Sequence, residues 1–168
     1  NAGKPHVKQK LCIGCGQCAA VCPTAAITVY NDIGRVWRAL HDKNKRVVFQ
    51  IAPAVRVAVG EAFGIPAGVY VIYKMITALK LMGVDEVYDT NFGADMTTIL
   101  EAEEFLQMLI YGGPFPMFTS CCPGWVRFVK GQFPQFAKNL STAKSPQQMF
   151  GAVAKSYFAE QLGGDPKN

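Results

Sequence analysis

The stretch VVFQIAP, residues 47–53, decides how this sequence folds. It is rich in β-branched and aromatic residues, does not alternate apolar with polar side chains, and ends at a proline. This pattern is typical of a strand that is buried on both faces. Helical patterns follow over residues 55–63 and 69–81, and a second strand pattern covers residues 86–90. The order strand, helix, strand predicts a parallel α/β sheet.

The pattern continues towards the C-terminus with one more strand and three helices. Residues 95–111 have the periodicity of a long helix, and residues 117–120 are strand-like. Pro123 marks the start of another helix. The last helix is predicted from Pro146 to about residue 162, because Ser145 is a good N-cap and proline is favoured in the first turn.

The overall composition is that of a folded globular protein. The chain has 168 residues, of which 50% are hydrophobic and 17% charged, which excludes a disordered chain. The net charge of +5 is spread along the sequence, so it favours an acidic protein partner over nucleic acid. The sequence shows no secretory signal and no membrane span, since Lys74 and Lys80 interrupt its most apolar long stretch. We expect a cytoplasmic protein.

Six cysteines fall into two tight clusters, of which the first is CIGCGQCAAVCP, residues 12–23. It matches the bacterial ferredoxin run C-x2-C-x2-C-x3-C-P. A zinc site would need only two C-x2-C pairs and no terminal proline. We therefore predict that the four cysteines of this run are ligands of [4Fe-4S] clusters. In two-cluster ferredoxins, the fourth cysteine of the run binds the second cluster. These predicted ligands are Cys12, Cys15, Cys18 and Cys22.

The neighbours of these cysteines suggest how the segment folds. Gly14 and Gly16 would let the backbone approach the cluster. Pro23 is expected to open a helix, which would place Cys22 at a positive helix end. Residues 25–30 are predicted to form a short strand, and Asp32 to cap a linking helix. The predicted domains are therefore a small ferredoxin-like α+β segment over 1–31, a linker over 32–45 and an α/β domain over 46–168.

The second cluster is FTSCCPGW, residues 118–125. Neighbouring side chains of an extended segment point in opposite directions, so Cys121 and Cys122 cannot easily bind the same face of a metal cluster. Cys122 precedes Pro123 as Cys22 precedes Pro23, which makes it the helix-capping thiolate and the better ligand candidate. Cys121 is then a thiol that points elsewhere. The alternative is a pair of buried structural cysteines.

Four segments in this order resemble the iron-only ([FeFe]) hydrogenases: APAVRVAVGEAFG at 52–64, TNFGAD at 90–95, PFPMFTSCCPGWV at 114–126 and AKSPQQMFG at 143–151. With the first cysteine run, they cover essentially the whole chain. The resemblance implies an incomplete parallel-sheet H-cluster domain and an oxidoreductase that interconverts protons and dihydrogen. In that family the H-cluster is a [4Fe-4S] cubane joined through a cysteine sulfur to a two-iron unit with CO, cyanide and azadithiolate.

The resemblance also implies roles for single residues. Cys122 would be one of four cubane ligands, and Cys121 would pass protons to the azadithiolate amine. Pro53 and Gln147 would line the two-iron pocket. The proton route would continue outward through three further side chains: Glu101, Ser141 and Glu104. Without the resemblance, carboxylates three apart on one helix face are usually a solvated surface. No role follows for Arg56 or Lys144, which we interpret as ordinary surface or ion-pairing residues.

The family continues after Asn168 with a strand that carries another active-site cysteine, and later with two more. We therefore expect the remaining ligands to come from the rest of the polypeptide or from a second subunit, and these 168 residues alone to be inactive. The first residue is Asn1, so we also expect the true start to be missing or removed. A ferredoxin or similar carrier would exchange electrons with the clusters.

Two rival functions are a hydrogenase-like protein of iron–sulfur assembly or sensing and a bare electron-transfer module. Assembly or sensing relatives often lack the thiol at the position of Cys121. An electron-transfer module would not need the second cysteine cluster or the last helix.

Overall fold

The computed structural model describes residues 12–165, so residues 1–11 of the predicted ferredoxin-like segment and residues 166–168 of the predicted α/β domain lie outside the description. The chain forms two compact units. The first contains the residues up to Asp32 together with Ile99–Ser145. The second contains Ile33–Thr98 and the residues from Pro146 onward. The predicted domain boundaries at residues 31 and 45 stay predictions.

The second unit contains a parallel two-stranded sheet. Strand β1, Val48–Ile51, pairs with strand β2, Glu86–Asp89, in the register that sets Val48 opposite Glu86. The crossover between the strands is helical, with these bounds: α3 Pro53–Ala58, a 3₁₀ helix Val59–Phe63 and α4 Ile72–Leu81. Parallel strands need such a long crossover. The predicted parallel α/β arrangement of this part is confirmed.

The core of the second unit lies between the sheet and the helices around it. The buried apolar side chains of this unit are Ile51, Val71, Ile72, Val84 and Phe150. The linking helix α2 runs over Ile33–His41, as predicted. Helix α7 begins at Pro146, as predicted, and continues through a π-helical turn, with these bounds: α7 Pro146–Val153, π segment Ala154–Phe158 and α8 Ala159–Gln161.

Two helices begin at positions different from the predicted ones. Helix α5, Asn91–Tyr111, starts four residues before the predicted Asp95, because Asp89 Oδ1 accepts a hydrogen bond from the Asn91 N–H at 2.8 Å. Helix α4 starts later than residue 69, because the Val71 N–H donates to the Arg56 carbonyl at 3.1 Å.

The first unit is built from short helices. Its elements are α1 Gln17–Ala20, the second part of α5, α6 Pro123–Gln132 and a 3₁₀ helix Pro134–Asn139. Val129 of α6 is 2% exposed and is the most deeply buried side chain described. The predicted helix start at Pro123 is confirmed.

The prediction that residues 117–120 form a third strand of the sheet is wrong. Phe118 forms a single parallel bridge with Leu140, through bonds from the Phe118 N–H to Asn139 at 2.8 Å and from the Ser141 N–H to the Phe118 carbonyl at 2.7 Å. Prolines at positions 114, 116 and 123 lack the N–H that a longer ladder needs. Over residues 12–165, the sheet therefore contains only β1 and β2.

Two predictions around Cys22 are also wrong. Residues 25–30 form no strand, and Pro23 opens no helix, since α1 ends at Ala20 before Cys22 is reached. The chain turns instead, with the Ala25 N–H donating to the Cys22 carbonyl and Ala25 in the left-handed region at φ 51°. Within residues 12–165, no helix combines the length and apolar character needed to cross a bilayer.

Candidate functional site

The first cysteine segment is a glycine-turned loop that leads into α1. Gly14 and Gly16 have φ values of 75° and 77°, a conformation that strongly favours glycine. Cys15 and Cys18 are exposed, while Cys12 and Cys22 are half-buried. The loop therefore turns at the two glycines and presents the thiols of Cys15 and Cys18 at its surface.

Cys22 is the thiol with the most perturbed acidity. Backbone N–H groups, chiefly that of Ile27, followed by the hydroxyl of Thr24 at 3.6 Å, lower the pKa of Cys22 to about 7. A lowered pKa favours the thiolate, which is the form that binds metal. The predicted thiolate stabilisation has a different source from the one expected, since a turn rather than a helix end supplies the N–H groups.

The donor chemistry of these segments fits iron–sulfur clusters. All six cysteines are free thiols. Among residues 12–165, no three Cys, His, Asp or Glu side chains converge as a set for one metal ion. A cubane binds each thiolate at a separate iron, so its ligands need not meet at one point. Free thiols on a glycine-turned loop are thus compatible with cluster ligation.

Cys122 caps helix α6, as its position before Pro123 predicted. Its backbone is extended at φ −96° and ψ 113°, and its Sγ accepts a hydrogen bond from the Trp125 N–H at 3.5 Å. Both Cys121 and Cys122 are exposed. The Cys122 sulfur thus lies at the N-terminus of α6 and caps its first turn.

Helix α6 packs directly against the first cysteine loop. A Cβ built on Gly124 would lie 3.5 Å from the Ile13 carbonyl oxygen, and one built on Gly14 would lie 2.9 Å from Arg127 Nη1. Since both segments belong to the first unit, the two cysteine clusters of the sequence are neighbours in space.

Ser141 and Glu104 form the strongest polar contact near the second cysteine cluster. Ser141 Oγ donates to Glu104 Oε2 at 2.6 Å and accepts from the Ala143 N–H at 3.1 Å. The Thr142 N–H donates to both Glu104 oxygens, at 3.1 and 3.2 Å. Ser120 Oγ donates to the Ala143 carbonyl at 3.0 Å, so the chain leading to Cys121 lies alongside the Ser141 segment.

Glu101 lies one turn before Glu104 on α5. Its Oε1 is buried, and within the described part of the chain it has no hydrogen-bond partner. A buried polar atom without a partner costs roughly 1–3 kcal/mol, so it marks a place where a partner is expected. Glu103, between the two, is exposed. The helix therefore separates a solvated carboxylate from two partly buried ones.

Pro53 and Gln147 belong to the second unit. Pro53 is the first residue of α3, directly beyond the carboxyl end of β1, and Gln147 lies in the first turn of α7. Both side chains are exposed. The Gln147 carbonyl accepts a hydrogen bond from Gln50 Nε2 at 3.3 Å.

Comparison with known families settles the relationship. Residues 45–168 match the family model described as "Iron only hydrogenase large subunit, C-terminal domain", and residues 5–28 match a "4Fe-4S binding domain". The chain belongs to the iron-only hydrogenase large subunit family. The resemblance inferred from the four sequence segments is thereby confirmed, as is the fold class, a mixed helix and strand arrangement resembling the H-cluster domain.

Two individual relatives illustrate how similar this chain is to known proteins. It is 50% identical over 164 residues to the NADP-reducing hydrogenase subunit HndD of Solidesulfovibrio fructosivorans, covering 94% of this chain and 28% of that one. It is 33% identical over 149 residues to the cytosolic Fe-S cluster assembly factor narfl of Danio rerio, covering 82% of this chain and 36% of that one.

A solved structure supports the same fold. A variant of the apo [FeFe]-hydrogenase HydA1 from Chlamydomonas reinhardtii superposes with a TM-score of 0.77 at 39% identity, covering 82% of this chain and 36% of that one. The chain spans less than half the length of each of these relatives.

Sequence reasoning missed two buried polar residues with several hydrogen bonds, Arg56 and Asn139. Arg56, 5% exposed, donates to Asp89 through Nη1 and Nη2 at 2.6 and 2.5 Å and to Tyr70 Oη at 3.2 Å. Asn139, 4% exposed, donates to the carbonyls of Pro114 and Pro116, both at 2.8 Å. The only sequence signal was a polar residue inside an apolar run, as with Arg56 in residues 52–59.

Proposed function

We propose that the polypeptide containing these residues is an [FeFe] hydrogenase that interconverts protons, electrons and dihydrogen. The hydrogen bond between Ser141 and Glu104, in the same unit as Cys121 and Cys122, carries the proposal. A proton route is needed by an enzyme that makes dihydrogen and not by a scaffold for cluster assembly. When bound, the H-cluster supplies the redox chemistry and the basic amine.

The cysteines divide into electron-transfer ligands and active-site thiols. The proposed ligands of ferredoxin-like [4Fe-4S] clusters are Cys12, Cys15, Cys18 and Cys22. Cys122, capping α6, holds the cubane of the H-cluster through its thiolate. The packing of α6 against the first cysteine loop, where Gly124 lies next to the Ile13 carbonyl and Arg127 lies against Gly14, supports short electron transfer between them. Pro53 and Gln147 shape the pocket for the two-iron unit.

Cys121 is the innermost member of the proposed proton route. From it protons move through Glu101 to Ser141 and Glu104. Ser141 is suited to the task because a hydroxyl can donate to Glu104 while it accepts another proton. The buried Glu101 Oε1 has a vacant hydrogen-bonding position, which a thiol or a water molecule on the route would fill.

The proposed enzyme has partners and lies in the cytoplasm. The cubane held by Cys122 needs three further thiolates, which the remainder of the polypeptide or a second subunit would supply. A ferredoxin or similar carrier would deliver electrons in the cytoplasm. The net charge of +5 is consistent with an acidic carrier protein.

An alternative function is iron–sulfur assembly or sensing without hydrogen chemistry. The relationship to the assembly factor of Danio rerio supports this alternative. Cys121 weighs against it, because a thiol beside the cluster ligand is needed for proton transfer and not for holding a cubane.

The test is to express the complete polypeptide under anaerobic maturation. Hydrogen evolution with a reduced mediator, together with infrared bands from CO and cyanide, would support the hydrogenase. Intact [4Fe-4S] spectra without those bands or any hydrogen production would instead support the assembly or sensing function.

A further inference from the structure

Gln50 on β1 uses both ends of its side-chain amide. Its Oε1 accepts a hydrogen bond from Thr90 Oγ1 at 3.1 Å, and its Nε2 donates to the Gln147 carbonyl at 3.3 Å. A primary amide with an acceptor bond at one end and a donor bond at the other has only one orientation that satisfies both. Gln50 is therefore a fixed bridge between β2 and the first turn of α7.

Thr90 holds the other end of this bridge firmly. It is 8% exposed, and its N–H donates to the Ile51 carbonyl at 3.1 Å. Thr90 directly follows β2, and Ile51 ends β1. The bridge therefore rests on the carboxyl end of the sheet, where the Thr90 N–H to Ile51 carbonyl bond joins the ends of the two strands.

The first turn of α7 is also pressed against α5. A Cβ built on Gly93 would lie 2.2 Å from the Pro146 carbonyl oxygen and 3.1 Å from the Phe150 N. Phe150 is 3% exposed, and its ring lies 5.6 Å from that of Tyr88. Backbone packing and a buried ring thus fix where α7 sits. The Gln50 side chain adds a further restraint, because its Nε2 reaches the Gln147 carbonyl from outside the helix.

We propose that Gln50 is a positioning residue that fixes the Gln147 peptide and thereby the direction in which the Gln147 side chain leaves α7. This inference rests on the proposed function, in which Gln147 lines the two-iron pocket. Gln50 itself does not touch the cofactor in this proposal. It acts through the backbone, because the orientation of a peptide plane sets the Cα–Cβ direction of its residue.

Gln50→Glu in the complete polypeptide is the sharpest test. The carboxylate keeps the size of the side chain and the acceptor for Thr90, but it loses the donor to Gln147 and places an oxygen against the carbonyl. Gln107→Glu, on the exposed surface of α5, is the matched control with the same charge change. Thr90→Val is a second variant, which removes the hydroxyl that orients the amide and adds no charge.

Two readouts separate positioning from general structure. In the cofactor-free protein, amide hydrogen exchange at residues 150–153, whose N–H groups are the first that can bond within α7, should rise roughly tenfold in Gln50→Glu and less in Thr90→Val, with exchange in β1 and β2 unchanged. In the matured protein, the CO and cyanide infrared bands should shift while the iron content stays equal. The control should show neither change.

The outcomes distinguish the two proposals. Unchanged exchange at residues 150–153 together with unchanged infrared bands, in a variant of an active enzyme, would overturn the positioning role alone. A wild-type protein that neither evolves hydrogen nor shows those bands would overturn the proposed function. Altered exchange and shifted bands in both variants would support the positioning role.

Discussion

Arg56 and Asp89 are joined by two hydrogen bonds, of 2.6 Å from Nη1 to Oδ2 and 2.5 Å from Nη2 to Oδ1. Arg56 is almost fully buried, whereas the Asp89 side chain is 43% exposed. The pair connects α3, which begins at Pro53, to the end of β2. It holds the turn beyond β1 against the turn beyond β2.

This pair should make the free energy of unfolding depend on pH. Burial raises the pKa of Asp89, but the hydrogen bonds from Arg56 and the Asn91 N–H outweigh it and hold that pKa below its ordinary value of 3.8. A carboxylate whose pKa is lowered by folding contributes stability above its ordinary pKa and loses it as the pH falls through the folded value. Asp89→Asn should cost about 1–2 kcal/mol at pH 7, discounted for solvent screening.

Urea unfolding of the complete polypeptide from pH 3 to pH 7 would measure this. The difference between wild type and Asp89→Asn should shrink towards pH 3, while Glu103→Gln, at an exposed position of α5, should cause little change at any pH. A difference that stays constant across the range would contradict the assignment.

Cys121 and Cys122 should respond to substitution in opposite ways. Cys121→Ala in the complete enzyme should leave the clusters assembled and reduce turnover by at least about 100-fold, since a methyl group carries no proton. Cys122→Ala should instead lower the iron content, because a ligand is lost. Iron quantitation, electron paramagnetic resonance and hydrogen evolution measure both, and high activity in Cys121→Ala would exclude its role in proton transfer.

Ser141→Ala should slow proton transfer without unfolding the site. The two Thr142 N–H bonds would still hold Glu104, so the expected loss of hydrogen evolution is about 100-fold with normal cluster spectra. Ser156→Ala is the control, because its hydroxyl donates only to the Ala152 carbonyl one turn earlier. Equal activities of the two variants would remove Ser141 from the route.

Gly93→Ala should destabilise the second unit. The new methyl group would lie 2.2 Å from the Pro146 carbonyl oxygen, so helices must separate at a cost of about 2–3 kcal/mol. Gly151→Ala on α7 meets nothing within 4 Å and should stabilise by up to about 1 kcal/mol through helix propensity. Thermal unfolding of both variants measures the contrast, and equal melting temperatures would disprove the close approach.

The first cysteine cluster should hold iron and not zinc. In a metal-loaded protein, the sulfurs of Cys12, Cys15 and Cys18 should lie about 2.3–2.4 Å from iron, close to the zinc–sulfur distance. Metal analysis distinguishes the two, as does the visible absorption of the cluster. Zinc at this site, or a disulfide between Cys12 and Cys18, would end the electron-transfer assignment.

The sequence predicted the elements whose signals are local. The apolar run before Pro53 and the Ser145-Pro146 pair correctly predicted β1 and the start of α7, because strand and cap preferences act over a few residues. The prediction of a third strand was wrong because pairing depends on a partner strand, and the prolines around Phe118 permit only one bridge. The prediction of a helix after Cys22 was wrong because a turn competes for the same N–H groups.

The hydrogen bonds of Gln50 and Arg56 could not be predicted from the sequence for a similar reason. Gln50 finds one partner 40 residues away and another 97 residues away. Neither spacing has a periodicity that a pattern could reveal. The buried state of Arg56 depends in the same way on Asp89, 33 residues later.

The 97-residue separation between Gln50 and Gln147 has a consequence for the order of folding. The entropic cost of closing a loop grows with its length, so β1 and β2, with their shorter crossover, can pair before the last helix docks. On the ribosome this order is enforced, since residue 147 is synthesised long after the sheet residues. The pocket wall that Gln147 would provide is thus completed after β1 and β2 have paired, and α7 docks on a sheet that already exists.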